Sequence, residues 1–215
     1  MKTHKIKKGE CLSSLAEQYG FHDPDILYSH ADNAGLKAKR DNLNLLCKDD
    51  KVKIPDKEKK EVSGADAQRH KFKAKGIRTH IRFLVEDFEA NALATKKYKL
   101  EVGGEVFEGT TAGDGLIEHV VLASEKTGKL QVWLNDKKTS SIFWPLDIGD
   151  LEPYEEKRGV QARLNNLGYS CGTVDGIIGP NTKAAIKAFK INNGRSANDV
   201  LSGATKRKLK TVYGF

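Results

Sequence analysis

A multi-domain α+β chain is what this sequence predicts: a βααβ module, a small antiparallel β-sandwich and a three-helix module. Three observations predict it. Apolar residues recur at helical spacing near both ends, whereas from Gly76 to Ile148 the period falls to two. Residues 57–75 are charged, hold a Ser-Gly step and have little apolar content, as a surface linker does. Near the C-terminus an Asp-Gly turn and a Gly-Pro step stand in order between helical patterns. The expected domains are therefore residues 1–56, 76–150 and 151–215, with the linker at 57–75.

The totals bound the function classes. At 215 residues the chain holds one large domain or two to three small ones, and no apolar run approaches the ~20 residues of a membrane span. The N-terminus, MKTHKIKKGE, is basic but lacks an apolar h-region, so no secretory signal peptide is expected. The net charge of +8 is unevenly shared: +3 over residues 1–60, −1 over 61–150 and +6 over 151–215. A basic C-terminal module suits an anionic polymer such as cell-wall stem carboxylates, teichoic acid or nucleic acid. Nucleic acid is disfavoured, because the basic residues are not interleaved with aromatics and no reader motif is present. Cys11, Cys47 and Cys171 form no CxxC or metal-spaced pair, so neither a metal nor a cofactor is expected.

In the N-terminal module a short strand runs into Gly9, and Leu12, Leu15, Ala16 and Tyr19 repeat at helical spacing before Gly20 ends the turn. Asp25-Ile26-Leu27 opens a second short helix that finishes near Asn33, and Val52-Lys53-Ile54-Pro55 closes the module as a strand stopped by proline. KKGECLSSLAEQYG and VKIP resemble the LysM family, two helices on a two-stranded sheet, which binds N-acetylglucosamine-containing glycans without hydrolysing them. The resemblance implies a glycan groove walled by Gly9, Glu10, Cys11 and Leu12 on one side and by Asn33, Leu46, Ile54 and Pro55 on the other. Lys48-Asp49-Asp50 stands where the family has a glycine-containing turn. The same arrangement places Cys11 and Cys47 on facing loops, so they are candidates for a disulfide; the alternative is that both are small buried apolar residues. Cys171 is expected to stay a thiol in a surface loop.

In the middle, Ile77, Thr79, Ile81, Phe83 and Val85 alternate with polar residues, and Tyr98, Leu100 and Val102 do the same. Gly103-Gly104 offers a hairpin turn, Thr110–Gly115 a loop, and further strands are expected at Leu116–Leu122, around Leu130–Leu134 and at Ser141–Ile148. LEVGGEVFEGTTAGDGLIE resembles transthyretin-like and carboxypeptidase-regulatory-like sandwiches. His80 and Asp87 have the spacing of two zinc ligands in D,D-peptidases, yet the residues between them do not match. His119 beside Glu118 lacks the acid spacing such a site needs. No Ser/His/Asp or Cys/His constellation is present either, so no catalytic residues are expected.

Toward the C-terminus, Val160, Leu164 and Leu167 mark a helix that stops at Gly168-Tyr169. Asp175-Gly176 turns the chain, and either Gly179 caps the next helix with Pro180 at its first position or Thr182 does. Ile186 and Phe189 lie on one face of that helix. A weaker copy follows, with Asp199, Gly203, Thr205 and Leu209 set against Asp175, Gly179, Thr182 and Ile186. GVQARLNNLGY, VDGIIGPNT and KAAIKAF resemble the peptidoglycan-binding domain-1 family, a small non-catalytic three-helix module. The motif residues carried over are Tyr169, Asp175, Gly176, Gly179, Thr182 and Phe189, and Lys190 stands where the family usually has glutamine.

Together these resemblances imply a non-catalytic binder of peptidoglycan that anchors or delivers a partner docked on the sandwich. The rival classes are a wall hydrolase with an unrecognised site in residues 76–150 and an adaptor that binds protein only. The module order also resembles proteins of contractile, type VI secretion, which implies a secretion-spike or effector partner. It implies delivery to the periplasm or cell wall without a Sec signal, from a cytoplasmic starting point.

Overall fold

Four residues near each end of the N-terminal module pair as an antiparallel ladder, β1 (Lys2–Lys5) with β2 (Lys51–Ile54), setting Lys2 opposite Ile54. The protein, a computed structural model, is described at residues 1–57, 63, 64, 69, 76–87, 89, 91–135 and 137–214. It divides into two units, Met1–Asp150 and Leu151–Phe215. Apart from residues 57, 63, 64 and 69, the expected linker lies outside the described residues.

Between β1 and β2 run α1 (Leu12–Tyr19), α2 (Asp25–Tyr28), a 3-10 turn at Ala31–Asn33 and α3 (Ala34–Lys39). Cys11 caps α1, with Ser14 Oγ accepting its backbone N–H at 3.0 Å, and Gly20 ends the helix at a left-handed φ of 69°. Three helices stand where the sequence reading has two. The chain continues past Asn33 because Leu36 has a place in the core formed by Ile6, Leu12, Leu15, Leu27 and Val52, and Lys37 and Lys39 fall in the last turn, where cations favour the helix terminus.

The basic run and the acidic turn are partners. The buried Arg40 donates from Nε to Asp50 Oδ2 at 2.8 Å and from Nη2 to Asp50 Oδ1 at 3.3 Å, while Lys39 Nζ and the Cys47 N–H reach the same carboxylate. Asp49 adopts a φ of +75°, doing the work of the glycine that this turn lacks.

Among the described residues in the remainder of this unit, six strands make two sheets. β3 (Arg78–Leu84) pairs with β6 (Leu116–Leu122), and a four-stranded sheet runs β5 (Glu105–Thr110), β4 (Lys97–Val102), β7 (Thr127–Trp133), β8 (Ser141–Asp147). All pairings are antiparallel. Both sheets give side chains to one core: Ile117 and Val121 from the first, Leu100, Val102, Leu130 and Val132 from the second. The β4–β5 hairpin turns at Gly103 and Gly104, whose φ values of 58° and 80° are those of the mirror-image turn that matches strand twist. His119 faces inward, stacked on Phe107 with ring centroids 4.4 Å apart and 2.8 Å from the Tyr98 hydroxyl.

The second unit holds α4 (Lys157–Asn166), α5 (Pro180–Asn192) and α6 (Gly203–Tyr213) around Val160, Leu164, Ile186, Phe189 and Leu209. Gly179 is the cap of α5 and Pro180 its first residue, which settles the two alternatives. Ser202 caps α6, accepting from the Thr205 N–H at 3.2 Å. Thr182 and Thr205 therefore both stand at the third helical position, both buried, so the internal copy aligns Gly179 with Ser202 and not with Gly203. Among the described residues no helix is long and apolar enough to cross a membrane.

Candidate functional site

Side chains of α4 hold the loop between α4 and α5, Gln161 with the largest set of bonds. Gln161, on the inward face of α4 and 1% exposed, donates from Nε2 to Asp175 Oδ1 (2.9 Å), the Ile177 carbonyl (3.1 Å) and Thr182 Oγ1 (3.1 Å), and its Oε1 accepts the Gly176 N–H at 2.7 Å. Asp175 Oδ1 also accepts the Ile177 N–H at 2.8 Å. Hydrogen bonds from Gln161 and then from Ile177 hold the Asp175 carboxyl below its ordinary range. Gly176, at φ +84°, allows the turn, and its missing side chain leaves room for the aliphatic stem of Arg158. Arg158 Nη1 donates to the Val174 carbonyl at 2.7 Å and Nε to Glu152 at 2.9 Å. The fully buried Arg163 donates to the Glu152 carbonyl at 2.7 Å and lies over the Tyr213 ring.

The expected motif residues thus divide. Tyr169 meets Phe189 edge to face at 5.6 Å, and Phe189 and Thr182 are buried, so these three are scaffold. Asp175 and Gly176 form the loop, whose tip displays Ile177 at 67% exposure. Lys190, where a glutamine was expected, is buried and donates to Asn198 Oδ1 and to the Val200 carbonyl, tying α5 to the chain ahead of α6. Gln161, Arg158 and Arg163 were not singled out in the sequence. The signal available was three polar residues within an otherwise ordinary helical repeat, which composition alone does not separate from a solvated face.

Residues 155–209 match the family model described as "Putative peptidoglycan binding domain". The match spans about a quarter of the chain and supports peptidoglycan as a partner of this unit. No curated protein and no solved structure matches the chain.

The residues expected to wall a glycan groove in the N-terminal module come out differently. Leu12, Leu46 and Ile54 are core residues. Asn33 is 2% exposed and stitched to the strand behind it: its Nδ2 donates to the Leu27 and Lys53 carbonyls, both at 2.8 Å, and its Oδ1 accepts the Lys53 N–H at 2.7 Å. Cys11 is buried as the cap of α1. Of the expected set only Gly9, Glu10 and Pro55 keep partial exposure. The Gly9 carbonyl accepts from Lys126 Nζ, and Lys8 Nζ lies 3.0 Å from Asp150 Oδ2. Glu10 accepts from His4 Nε2 (2.8 Å) and the Lys7 N–H (2.9 Å). Burial alone would raise its carboxyl, but these hydrogen bonds prevail and lower it.

His80 and Asp87 are not brought together. His80 Nδ1 lies 2.7 Å from Glu118 Oε1, with Arg82 on the same oxygen, whereas Asp87 accepts from the Glu89 and Asn91 N–H groups. Among the described residues no group of three or more His, Cys, Asp and Glu is placed to hold a metal.

Among the described residues Cys11, the half-buried Cys47 and Cys171 all stand as thiols. The Cys11 sulfur lies 3.7 Å from Ser14 Oγ within the first turn of α1, and the Cys47 N–H donates to Asp50 Oδ2 at 2.9 Å. Cys171 is also buried, not in a surface loop, and burial pushes its thiol up despite a hydrogen bond from Thr182. Alkylation under native, non-reducing conditions should label Cys47 first and leave Cys11 and Cys171 slow. After denaturation intact-mass analysis should count three labelled cysteines, and a count of one would restore the bridge.

Proposed function

We propose that the protein is a non-catalytic cell-wall binder whose C-terminal unit engages peptidoglycan. The observation that carries this is the family match over residues 155–209, on a loop that the buried Gln161 holds rigid while its outer residues stay open. The N-terminal module adds glycan contacts through the Gly9–Glu10 turn and Pro55. The β-sandwich docks a partner that is thereby anchored or delivered, by a type VI secretion spike, to the periplasm or wall. Two modules on one polymer gain avidity through effective concentration.

Co-sedimentation of the full chain with purified sacculi tests this. Deleting residues 151–215 should weaken the pellet by about tenfold or more, as avidity gains run to about 10²–10⁴-fold. No soluble muropeptides should appear in the supernatant, and their release would make the protein a hydrolase instead. The net charge of +6 on the C-terminal unit adds a salt dependence, because exposed contacts are screened beyond roughly 8 Å at physiological ionic strength. Raising salt should therefore release the full chain more readily than the chain lacking residues 151–215, and equal release would remove electrostatics from the account.

A further inference from the structure

Helix α5 and the chain leading into α6 line a shallow, open surface groove whose walls are the exposed Lys183, Ala184, Lys187, Ala197, Asn198 and Asp199. One wall is fixed from behind. Lys190 Nζ and the Val200 N–H (3.2 Å) both donate to Asn198 Oδ1, which orients the amide and leaves Nδ2 without a protein partner among the described residues. Lys187 Nζ has no such partner either, and Lys183 Nζ stands 3.7 Å from Asp199 Oδ2, too far for a good hydrogen bond.

These groups select among wall components. No aromatic ring lines the groove, so it lacks the apolar face on which a neutral sugar packs. Two ammonium groups and an amide N–H line the groove as donors, the kind of set that holds a carboxylate by charge-assisted hydrogen bonds. Asp199 keeps the rim from acting as a general anion trap, since a polyanion would meet its carboxylate. A peptide end with an ammonium near its carboxylate satisfies both signs. We infer that this groove binds the carboxylate-bearing end of the wall's stem peptides, with Lys187 and Asn198 Nδ2 on the carboxylate and Asp199 on a neighbouring ammonium. This rests on the wall-binding reading above and assigns that reading's specificity to peptide rather than glycan.

The test uses the full chain, native sacculi and sacculi whose carboxylates have been converted to amides. Wild type should bind the amidated sacculi about tenfold more weakly, the loss expected for one charge-assisted hydrogen bond. Lys187→Gln, an exposed change that leaves the fold intact, should lose about as much on native sacculi and then be indifferent to amidation, because both changes remove one interaction. Undiminished wild-type binding to amidated sacculi overturns the inference while leaving wall binding in place; it is also the outcome if wall phosphates, which amidation spares, are the ligand. Equal further loss by Lys187→Gln on amidated sacculi overturns it too, since the two effects would then be independent. Failure of wild type to bind native sacculi removes the wall-binding reading and the inference with it.

Discussion

Gln161→Leu should strongly destabilise the C-terminal unit and weaken its contribution to sacculus binding. Leucine fills a similar volume but strands the Gly176 N–H and withdraws the amide from Asp175, Ile177 and Thr182. A buried polar group left unpaired costs about 1–3 kcal/mol, so the change should cost roughly 3–5 kcal/mol. A unit of about 65 residues holds about 3–10 kcal/mol in reserve, at ~0.05–0.15 kcal/mol per residue, so the loss is a large share of it. Urea unfolding should show the loss directly, and Thr182→Ser, which keeps the hydroxyl, should cost far less. A Gln161→Leu protein within about 1 kcal/mol of wild type would mean that the loop is not held from α4.

The second large effect belongs to Asp50. Its carboxylate and the Arg40 guanidinium are each only 4% exposed, and removing one partner of such a pair costs about 3–5 kcal/mol because the other charge stays buried. Asp50→Ala should therefore open the N-terminal module. Burial by itself would raise the Asp50 carboxyl, but hydrogen bonds from Arg40, the Cys47 N–H and Lys39 outweigh it and hold the group below its ordinary range. The sign follows. With the folded value depressed, the stabilisation is complete above the unfolded value of about 4 and is lost as pH falls through the folded one. Glu10, depressed likewise, acts in the same window. Acid titration of wild type should thus show stability falling below about pH 4, and Asp50→Ala should flatten part of that limb. An unchanged acid slope in the variant would place the titrating groups elsewhere.

What could be read from the sequence follows how local each cause is. Period two marked the strands, Gly103-Gly104 the hairpin, and the Asp-Gly and Gly-Pro steps the frame of the C-terminal unit, because each acts within a few residues of itself. The sequence alone leaves the cap of α5 open between Gly179 and Thr182, since both chemistries are sound and only packing decides. Helix α3 was missed because its sole apolar anchor, Leu36, sits among lysines. Leu12, Asn33, Leu46 and Ile54 fit a motif, but their burial was not legible, because whether such a residue faces out or in depends on strands and helices tens of residues away. The pairing of Arg40 with Asp50 is of the same kind, two charge runs that look solvated when read separately.

The strand order has a consequence for how the chain reaches this structure. β4 meets β5 across two glycines, and β8 turns back on β7 after a short connection, so both pairings need little loop closure. β3 and β6 can meet only when the long excursion between Leu84 and Leu116 closes, an additional entropic cost of roughly 2 kcal/mol over a two-residue turn. The β4–β5 and β7–β8 hairpins are thus the parts that can nucleate early, while the β4–β7 pairing that joins them and the β3–β6 pairing both wait on the closure of long loops. During that interval the inner faces of Leu100, Val102, Leu130 and Val132 stay uncovered. On the ribosome, β3 emerges well before the strand it pairs with and has no hydrogen-bonding neighbour until β6 follows.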